Sequence, residues 1–161
     1  MEPRASRPNL PGYGIVAENE GEGLLPWSWA RERLASARNY FLATTSPEGR
    51  PHLTVVWGLF LDDQFLFSTS RDSRKGKNLA QNPRCSVAPD GAEEAVLLEG
   101  VASDLADPSL RERWVREYKS KYDIDVSEMS EGVFVVRPER VFGQIEKTFT
   151  KSATRWTFSG V

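Results

Sequence analysis

The chain has 161 residues and a mass of 18.1 kDa, and 39% of its residues are hydrophobic and 27% charged. A chain of this length buries roughly 70% of its unfolded surface, which is enough for one substantial core. The 21 basic and 23 acidic residues give a net charge of −2, which argues against general nucleic-acid binding because phosphate contacts need a basic face.

The N-terminal segment 1–26 is rich in proline and glycine with scattered apolar residues, and we predict an irregular arm there. One domain over 27–161 follows. After Pro26, apolar residues recur on one face of the segment Trp27–Leu34, which predicts a short helix with Ser28 as its N-cap.

The next segments have the composition of β-strands. Residues 40–45, 52–61 and 64–69 are rich in β-branched, aromatic and other apolar residues and are separated by turn residues. Two hairpins in succession predict an antiparallel meander. Gly58, inside the second strand, indicates a bulge or the close approach of another group.

A short helix over 72–82 interrupts the strands, with Asp72 or Ser73 as its cap. The remaining predicted elements are strands at 84–88 and 95–102, a helix from Pro108 to about Tyr122, a strand over 132–146 broken at Pro138, and a strand at 154–158. Six or seven short strands with helices between them predict a mainly β, antiparallel small barrel. The pattern alone leaves a closed barrel and a sandwich open.

Positive charge is concentrated at residues 71–84, which contain five basic residues and one acidic residue. This segment lies where a strand ends in hydroxyl residues and a helix begins. A helix N-terminus presents unpaired N–H groups to an anion, and Lys and Arg side chains add charge. The pattern indicates a phosphate site, and a solvated basic helix face is the alternative.

An ordered set of motifs resembles the pyridoxamine 5'-phosphate oxidase-like superfamily, the FMN-binding split barrels. The motifs are Gly49-Arg50-Pro51-His52, Val56-Trp57, Phe67-Ser68-Thr69, Ser73-Arg74-Lys75, Asn78-Leu79, Asn82-Pro83-Arg84, Leu98–Ala102 and Ala153–Phe158. The resemblance extends from Asn39 to Phe158. It implies an antiparallel split β-barrel, a homodimer with cofactor sites at the subunit interface, and a small-molecule substrate.

The resemblance also implies roles for individual residues. Arg74 and Lys75 clamp the cofactor phosphate, and Thr69 and Ser73 hydrogen-bond to it beside Ser68. The other implied cofactor-binding residues are Thr54, Val55, Val56 and Trp57 along the ring edge, Lys77 and Asn78 in an outer channel, and Arg155 and Trp156 reaching the neighbouring subunit's cofactor. Strand alternation offers another interpretation of Thr54–Trp57, in which about half of these positions are ordinary buried residues.

The sequence departs from the oxidase pattern at two places. Gly143 precedes Gln144 where the oxidase has a Trp-Gln pair, and Thr154-Arg155-Trp156 replaces an Arg-Leu-His substrate motif. The basic clamp and this ending resemble the actinobacterial branch that uses the deazaflavin coenzyme F-420, whose phosphate and polyglutamate tail suit a lysine beyond the clamp. We therefore expect an F-420-dependent reductase that transfers a hydride to a small conjugated acceptor. An FMN-dependent oxidoreductase is the close alternative, and a non-catalytic flavin- or haem-binding carrier or sensor is the third.

Cys85 and His52 are the single cysteine and the single histidine, so an intrachain disulfide, a multi-cysteine zinc site and a His/Cys metal cluster are excluded within one chain. No activating signature surrounds Cys85, and we assign no catalytic side chain. The longest apolar run, Val55–Leu61, is far shorter than a membrane span, and the N-terminus lacks the apolar core of a signal peptide. We expect a reduced, cytoplasmic protein without a metal ion or a membrane contact.

Overall fold

The computed structural model describes residues 2–15 and 22–159, and this part of the chain is mainly antiparallel β-sheet with short helices. The strands are β1 (Arg4–Ser6), β2 (Tyr40–Thr45), β3 (Pro51–Val56), β4 (Gly58–Leu61), β5 (Gln64–Ser68), β6 (Arg84–Pro89), β7 (Glu94–Asp104), β8 (Val133–Ile145) and β9 (Thr154–Thr157). The helices are α1 (Trp27–Ser36), α2 (Arg74–Gln81), α3 (Pro108–Tyr122) and α4 (Phe149–Ser152), the last preceded by a 3-10 turn at Glu146–Thr148.

The strand pairings close into a ring. β3 and β4 are one passage of chain that bends at Trp57, so that β3 pairs with β2 and β4 pairs with β5. From β2 the pairings continue through β6, β7 and β8 and return to β5, and all of them are antiparallel. The predicted mainly β, antiparallel architecture is confirmed. The homodimer stays a prediction.

The predicted strand over 52–61 is therefore two strands, because its first half pairs with β2 whereas its second half pairs with β5. Gly58 lies at the bend, and its backbone N–H donates to the Tyr122 hydroxyl at 3.0 Å. A Cβ at this position would overlap the ring of Phe65. The predicted close approach at Gly58 is confirmed, and it is what brings β4 and β5 together.

Strand β8 runs through Pro138, where the sequence predicted a break. Glu99 faces Arg140 while Gly100 faces Pro138, which leaves Glu139 as an extra residue in β8. Proline cannot donate to a strand ladder, and a bulge is one of the places where a sheet tolerates it. The bulge lets one long strand pair with β7 over its whole length.

The predicted irregular arm contains β1, which pairs with β9. Arg7 follows β1 and is only 1% exposed, and its guanidinium donates to the Ala153 carbonyl at 3.0 Å and the Glu22 carbonyl at 2.7 Å. The arm is therefore anchored at this sheet edge. The division into an arm over 1–26 and a domain over 27–161 stays a prediction. Residues 1 and 16–21 of the arm and residues 160–161 of the domain lie outside the described part of the chain.

Helix α1 begins two residues earlier than the predicted cap at Ser28 requires. Pro26 occupies the N-cap position in an extended conformation, and no side chain caps the helix. Ser28 is the second helical residue, so the prediction that it caps α1 is wrong.

Two apolar clusters lie on opposite sides of the sheet, and the alternation of β5 shows how they are divided. Phe65 and Phe67 pack in the cluster that includes Trp27 and Trp156, whereas Leu66 packs in the cluster under α3.

Within residues 2–15 and 22–159, no helix has the length and apolar character needed to cross a membrane.

Candidate functional site

The loop between β5 and α2 is fixed by hydroxyl groups. Ser73 is the N-cap of α2, because its side chain accepts a hydrogen bond from the Gly76 backbone N–H at 3.1 Å. The same hydroxyl donates to the Ser70 carbonyl at 2.7 Å and lies 3.0 Å from the hydroxyl of Thr69. Of the two caps that the sequence allowed, Ser73 is the one that forms, and it draws the end of β5 to the start of the helix.

A cavity of about 330 Å³ lies between β3, the end of β5, α2 and α3. We call it the β3 cleft, and its lining consists of Val55, Val56, Trp57, Ser68, Thr69, Lys75 and Tyr118. Six of these seven were predicted to bind a cofactor. The cleft thus combines apolar and aromatic side chains with the aliphatic hydroxyls of Ser68 and Thr69, the phenol of Tyr118 and one cation.

A second cavity of about 420 Å³ shares Ser68 and Thr69 with the β3 cleft. We call it the loop cleft, and the rest of its lining consists of Ser70, Arg71, Asp72, Met129, Glu131 and Gly132. The two clefts meet at the end of β5. A ligand held at Ser68 and Thr69 therefore has space on either side of it.

Four predicted residues, Thr54, Ser73, Arg74 and Lys77, lie within two residues of a lining residue but outside the lining of the β3 cleft, and the predicted contact of Ser73 with the phosphate stays a prediction. Arg74 and Lys77 are exposed on α2, whereas Lys75 between them is half-buried and lines the cleft. The Thr54 hydroxyl donates to the Val55 carbonyl at 3.2 Å. Among the three basic residues at the start of α2, Lys75 is the one that the fold brings to the cleft.

Two predicted residues are structural instead. Asn78 is 4% exposed, and its amide donates to the Thr44 hydroxyl at 3.0 Å, so the prediction that it lines an outer channel is wrong. Trp156 is 0% exposed and packs edge-on to Trp27, with ring centroids 5.6 Å apart. The alternation of β9 turns Trp156 into the core of its own chain, so the prediction that it reaches a neighbouring subunit's cofactor is wrong.

The role of Arg155 stays a prediction. This side chain is half-buried, and its Nε donates to the Ser6 hydroxyl at 3.2 Å. The contact ties β9 to β1 within one chain, and a further contact to a bound cofactor is compatible with it.

The aromatic residues Trp114, Tyr118 and Tyr122 recur at i, i+4 spacing in α3, which is typical of core packing, and two of them also contribute to the site. Tyr118 lines the β3 cleft. Tyr122 stacks on Trp57, and its hydroxyl donates to the Arg38 carbonyl at 2.7 Å. The i, i+4 spacing shows that these aromatic side chains share one face of α3. It does not show which strand that face contacts.

Lys121 adds a second support beneath the bend at Trp57. Its Nζ donates to the Tyr40 hydroxyl and to the Gly58 carbonyl, each at 2.9 Å. Burial, together with the nearby Arg38 guanidinium, lowers the pKa of Lys121 to about 8. Burial raises the pKa of Tyr40, so this hydroxyl stays protonated at neutral pH.

Neither the cysteine nor the histidine belongs to the β3 cleft. Cys85 is 7% exposed, and burial raises the pKa of its thiol to about 12, which removes the thiolate needed for nucleophilic chemistry. His52 is half-buried on β3 and is not part of the cleft lining. In the described ranges, no three His, Cys, Asp or Glu side chains are grouped so that they could hold a metal ion. No side chain is assigned a catalytic role.

Residues 29–145 match the protein family described as "Pyridoxamine 5'-phosphate oxidase". The chain belongs to this family. A pyridoxine/pyridoxamine 5'-phosphate oxidase of Bacteroides thetaiotaomicron is 35% identical over 119 residues, which cover 71% of this chain and 53% of that protein. The chain spans about half the length of the curated relatives it matches.

Solved structures share the fold of this pyridoxamine 5'-phosphate oxidase family member. A haem-binding protein of Mycobacterium smegmatis has a TM-score of 0.59 and 25% identity, with 77% of this chain and 59% of that chain covered. An F-420 reductase has a TM-score of 0.54 and 21% identity, with 69% of this chain and 94% of that chain covered. The family is oxidoreductase-like, with a flavin-binding type of fold.

Proposed function

We propose that this chain is an oxidoreductase that holds a phosphate-bearing flavin or deazaflavin in the β3 cleft. The observation that carries the proposal is the composition of one cavity, whose lining brings Lys75 and the hydroxyls of Ser68 and Thr69 together with Val55 and Trp57. A cation, hydroxyl groups and a helix N-terminus suit a phosphate, and an apolar and aromatic wall suits a flat ring system.

The position of β3 supports the same assignment. Among the described strands, β3 pairs with β2 on one side, and its other edge carries no strand. Unpaired backbone N–H and C=O groups along such an edge need partners, and the polar atoms of a flavin ring can supply them. The residues present therefore fit the cofactor. When bound, the ring supplies the hydride chemistry, and the protein supplies position and electrostatics.

FMN is the first candidate for the cofactor. The reason to expect the polyglutamate tail of F-420 was a lysine beyond the clamp, and that residue, Lys77, is exposed and outside the lining of the β3 cleft. The 35% identical relative is named a pyridoxine/pyridoxamine 5'-phosphate oxidase, and the superfamily that the sequence resembles is that of the FMN-binding split barrels. F-420 is the second candidate, because it also carries a phosphate, which Lys75, Ser68 and Thr69 suit equally well.

We also propose a split-barrel homodimer, whose second copy completes the cleft. Apolar side chains are exposed on one face of the sheet, where Leu53 is 65% exposed, Val55 is 58% exposed, and Phe41 lies directly opposite Val55. Contiguous exposed apolar surface marks an interaction site. Because Val55 belongs both to this face and to the β3 cleft, a subunit that covers the face also borders the cofactor.

The absorption spectrum of the purified protein, followed by titration with FMN and with F-420, tests the proposed function. We expect either a copurified flavin or saturable binding of one of the two compounds. A second measurement with the same cofactor follows its reduction or oxidation in the presence of small conjugated acceptors. A protein that binds neither compound, or one that purifies with a haem absorption band and no flavin, contradicts the proposal and favours a carrier.

A further inference from the structure

The loop cleft and the β3 cleft differ in the charge of their linings. The β3 cleft has Lys75 as its charged residue, whereas the lining of the loop cleft includes Arg71, Asp72 and Glu131. Both clefts contain Ser68 and Thr69. The end of β5 therefore separates a cationic cavity from one of mixed charge.

The single cation of the loop cleft is already paired. The Nη2 of Arg71 donates to Asp104 at 2.7 Å, and its Nε lies 4.0 Å from a carboxylate oxygen of Glu131. The guanidinium also lies over the ring of Phe134, 5.9 Å from its centroid. The carboxylates of Asp104 and Glu131 thus lie within 4.0 Å of the guanidinium, and the lining itself holds two acidic residues, Asp72 and Glu131, against Arg71. The loop cleft therefore presents net negative charge to a ligand.

We propose that the loop cleft determines ligand specificity by repelling anionic groups and accepting uncharged or cationic ones. This inference rests on the proposed function, because it takes the cofactor phosphate to lie at Ser68 and Thr69. A ligand that continues beyond its phosphate on this side enters the loop cleft and meets Asp72 and Glu131. FMN ends at its phosphate and avoids them. The polyglutamate tail of F-420 is repelled.

Asp104 is a positioning residue in this arrangement. It does not line the loop cleft, but its carboxylate holds Arg71 and neutralises its charge. Without that carboxylate, Arg71 is free to turn toward an anionic ligand. The selectivity against a polyanion is therefore set both by Glu131, which faces the cleft, and by Asp104, which acts through Arg71.

The test measures the dissociation constants of FMN and F-420 at low ionic strength for the parent, Glu131→Gln and Asp104→Asn. We expect each substitution to shift the F-420 to FMN affinity ratio toward F-420 by roughly fivefold, the effect of one unit charge a few ångströms away in water. High salt should abolish the shift, because exposed charges are screened. Glu128→Gln, an exposed acid of the same loop outside the cleft lining, is the matched control.

The outcomes separate this inference from the proposed function. A parent that binds a cofactor, with an affinity ratio that stays the same in Glu131→Gln and Asp104→Asn, overturns the inference alone. An equal shift of the affinity ratio in the Glu128→Gln control also overturns the inference alone. The same holds if F-420 binding stays undetectable in every variant while FMN binds. A parent that binds neither compound overturns the proposed function and this inference with it. Thermal unfolding of each variant confirms that it is folded.

Discussion

Trp57 lies flat on Tyr122, with ring centroids 4.6 Å apart and ring planes within 6° of each other. The stack joins the wall of the β3 cleft to the last turn of α3. The Tyr122 hydroxyl accepts a hydrogen bond from the Gly58 backbone N–H at 3.0 Å, and Lys121 binds the Gly58 carbonyl at 2.9 Å. The shape of the cleft wall therefore depends on a helix that is distant in sequence.

The first prediction concerns the Tyr122 hydroxyl. Tyr122→Phe keeps the stacked ring but leaves the buried Gly58 N–H without its acceptor, which costs about 1–3 kcal/mol. We expect a decrease of this size in the free energy of unfolding, measured by denaturant titration, and weaker cofactor binding because the bend at Trp57 loosens. Tyr13→Phe, an exposed tyrosine of the N-terminal segment, is the control and should change neither value. An unchanged unfolding free energy in Tyr122→Phe would show that this hydrogen bond is dispensable.

The second prediction ranks the basic residues at the start of α2. Lys75→Ala should weaken binding of FMN or F-420 by roughly tenfold to a hundredfold, because it removes a charge-assisted hydrogen bond of about 1.5–3 kcal/mol. Lys77→Ala and Arg74→Ala should have smaller effects, since both side chains are exposed outside the cleft lining. Titration of the three variants at one ionic strength provides the measurement. Small, equal effects would favour a solvated basic helix face.

The third prediction concerns pH. The pKa of Lys121 is lowered from 10.5 to about 8 in the folded chain, so between these values the unfolded chain binds more protons than the folded one. Stability must then rise with pH through this window. Arg38, Tyr40 and Tyr122 are the charged and titratable groups that face the ammonium.

The quantity to measure is the unfolding free energy of the parent minus that of Lys121→Met. We expect this difference to increase by about 1 kcal/mol from pH 7.5 to 9.5. The increase is modest because solvent screens a half-buried ammonium. Lys119→Met, an exposed lysine of the same helix, is the control and should show no such trend. A difference that falls with pH, or stays flat, would contradict the lowered pKa.

The fourth prediction tests the homodimer. Light scattering coupled to size-exclusion chromatography should report about twice the 18.1 kDa mass of the chain. Leu53→Glu places a charge in the exposed apolar face and should shift the protein toward the monomer and weaken cofactor binding. Ile124→Glu changes an apolar residue that is also exposed but lies after α3, and it should leave the mass unchanged. A monomeric parent that binds cofactor fully would refute the two-subunit site.

Local sequence determined the elements whose signals act over a few residues. Ser73 caps α2, and Asp107 caps α3, because each side chain accepts from backbone N–H groups two or three residues ahead. The order of strand, hydroxyl residues, basic segment and helix also predicted a phosphate site at the end of β5, where Ser68, Thr69 and Lys75 line the β3 cleft; that they bind a cofactor stays a prediction. Ser28 shows the limit of such signals, since Pro26 took the cap position instead.

Long-range packing decided which of the candidate residues meet. Trp156 and Arg155 are neighbours on β9, but the pleat sends Trp156 into the core and leaves Arg155 half-buried. Asn78 is buried because its amide donates a hydrogen bond to the hydroxyl of Thr44, which is 34 residues away in the chain. The bend at Trp57, the stack on Tyr122 and the pairing of Arg71 with Asp104 all join residues that are far apart in the chain. Such contacts depend on how strands and helices pack, and that is set by the whole core rather than by any local pattern of residues.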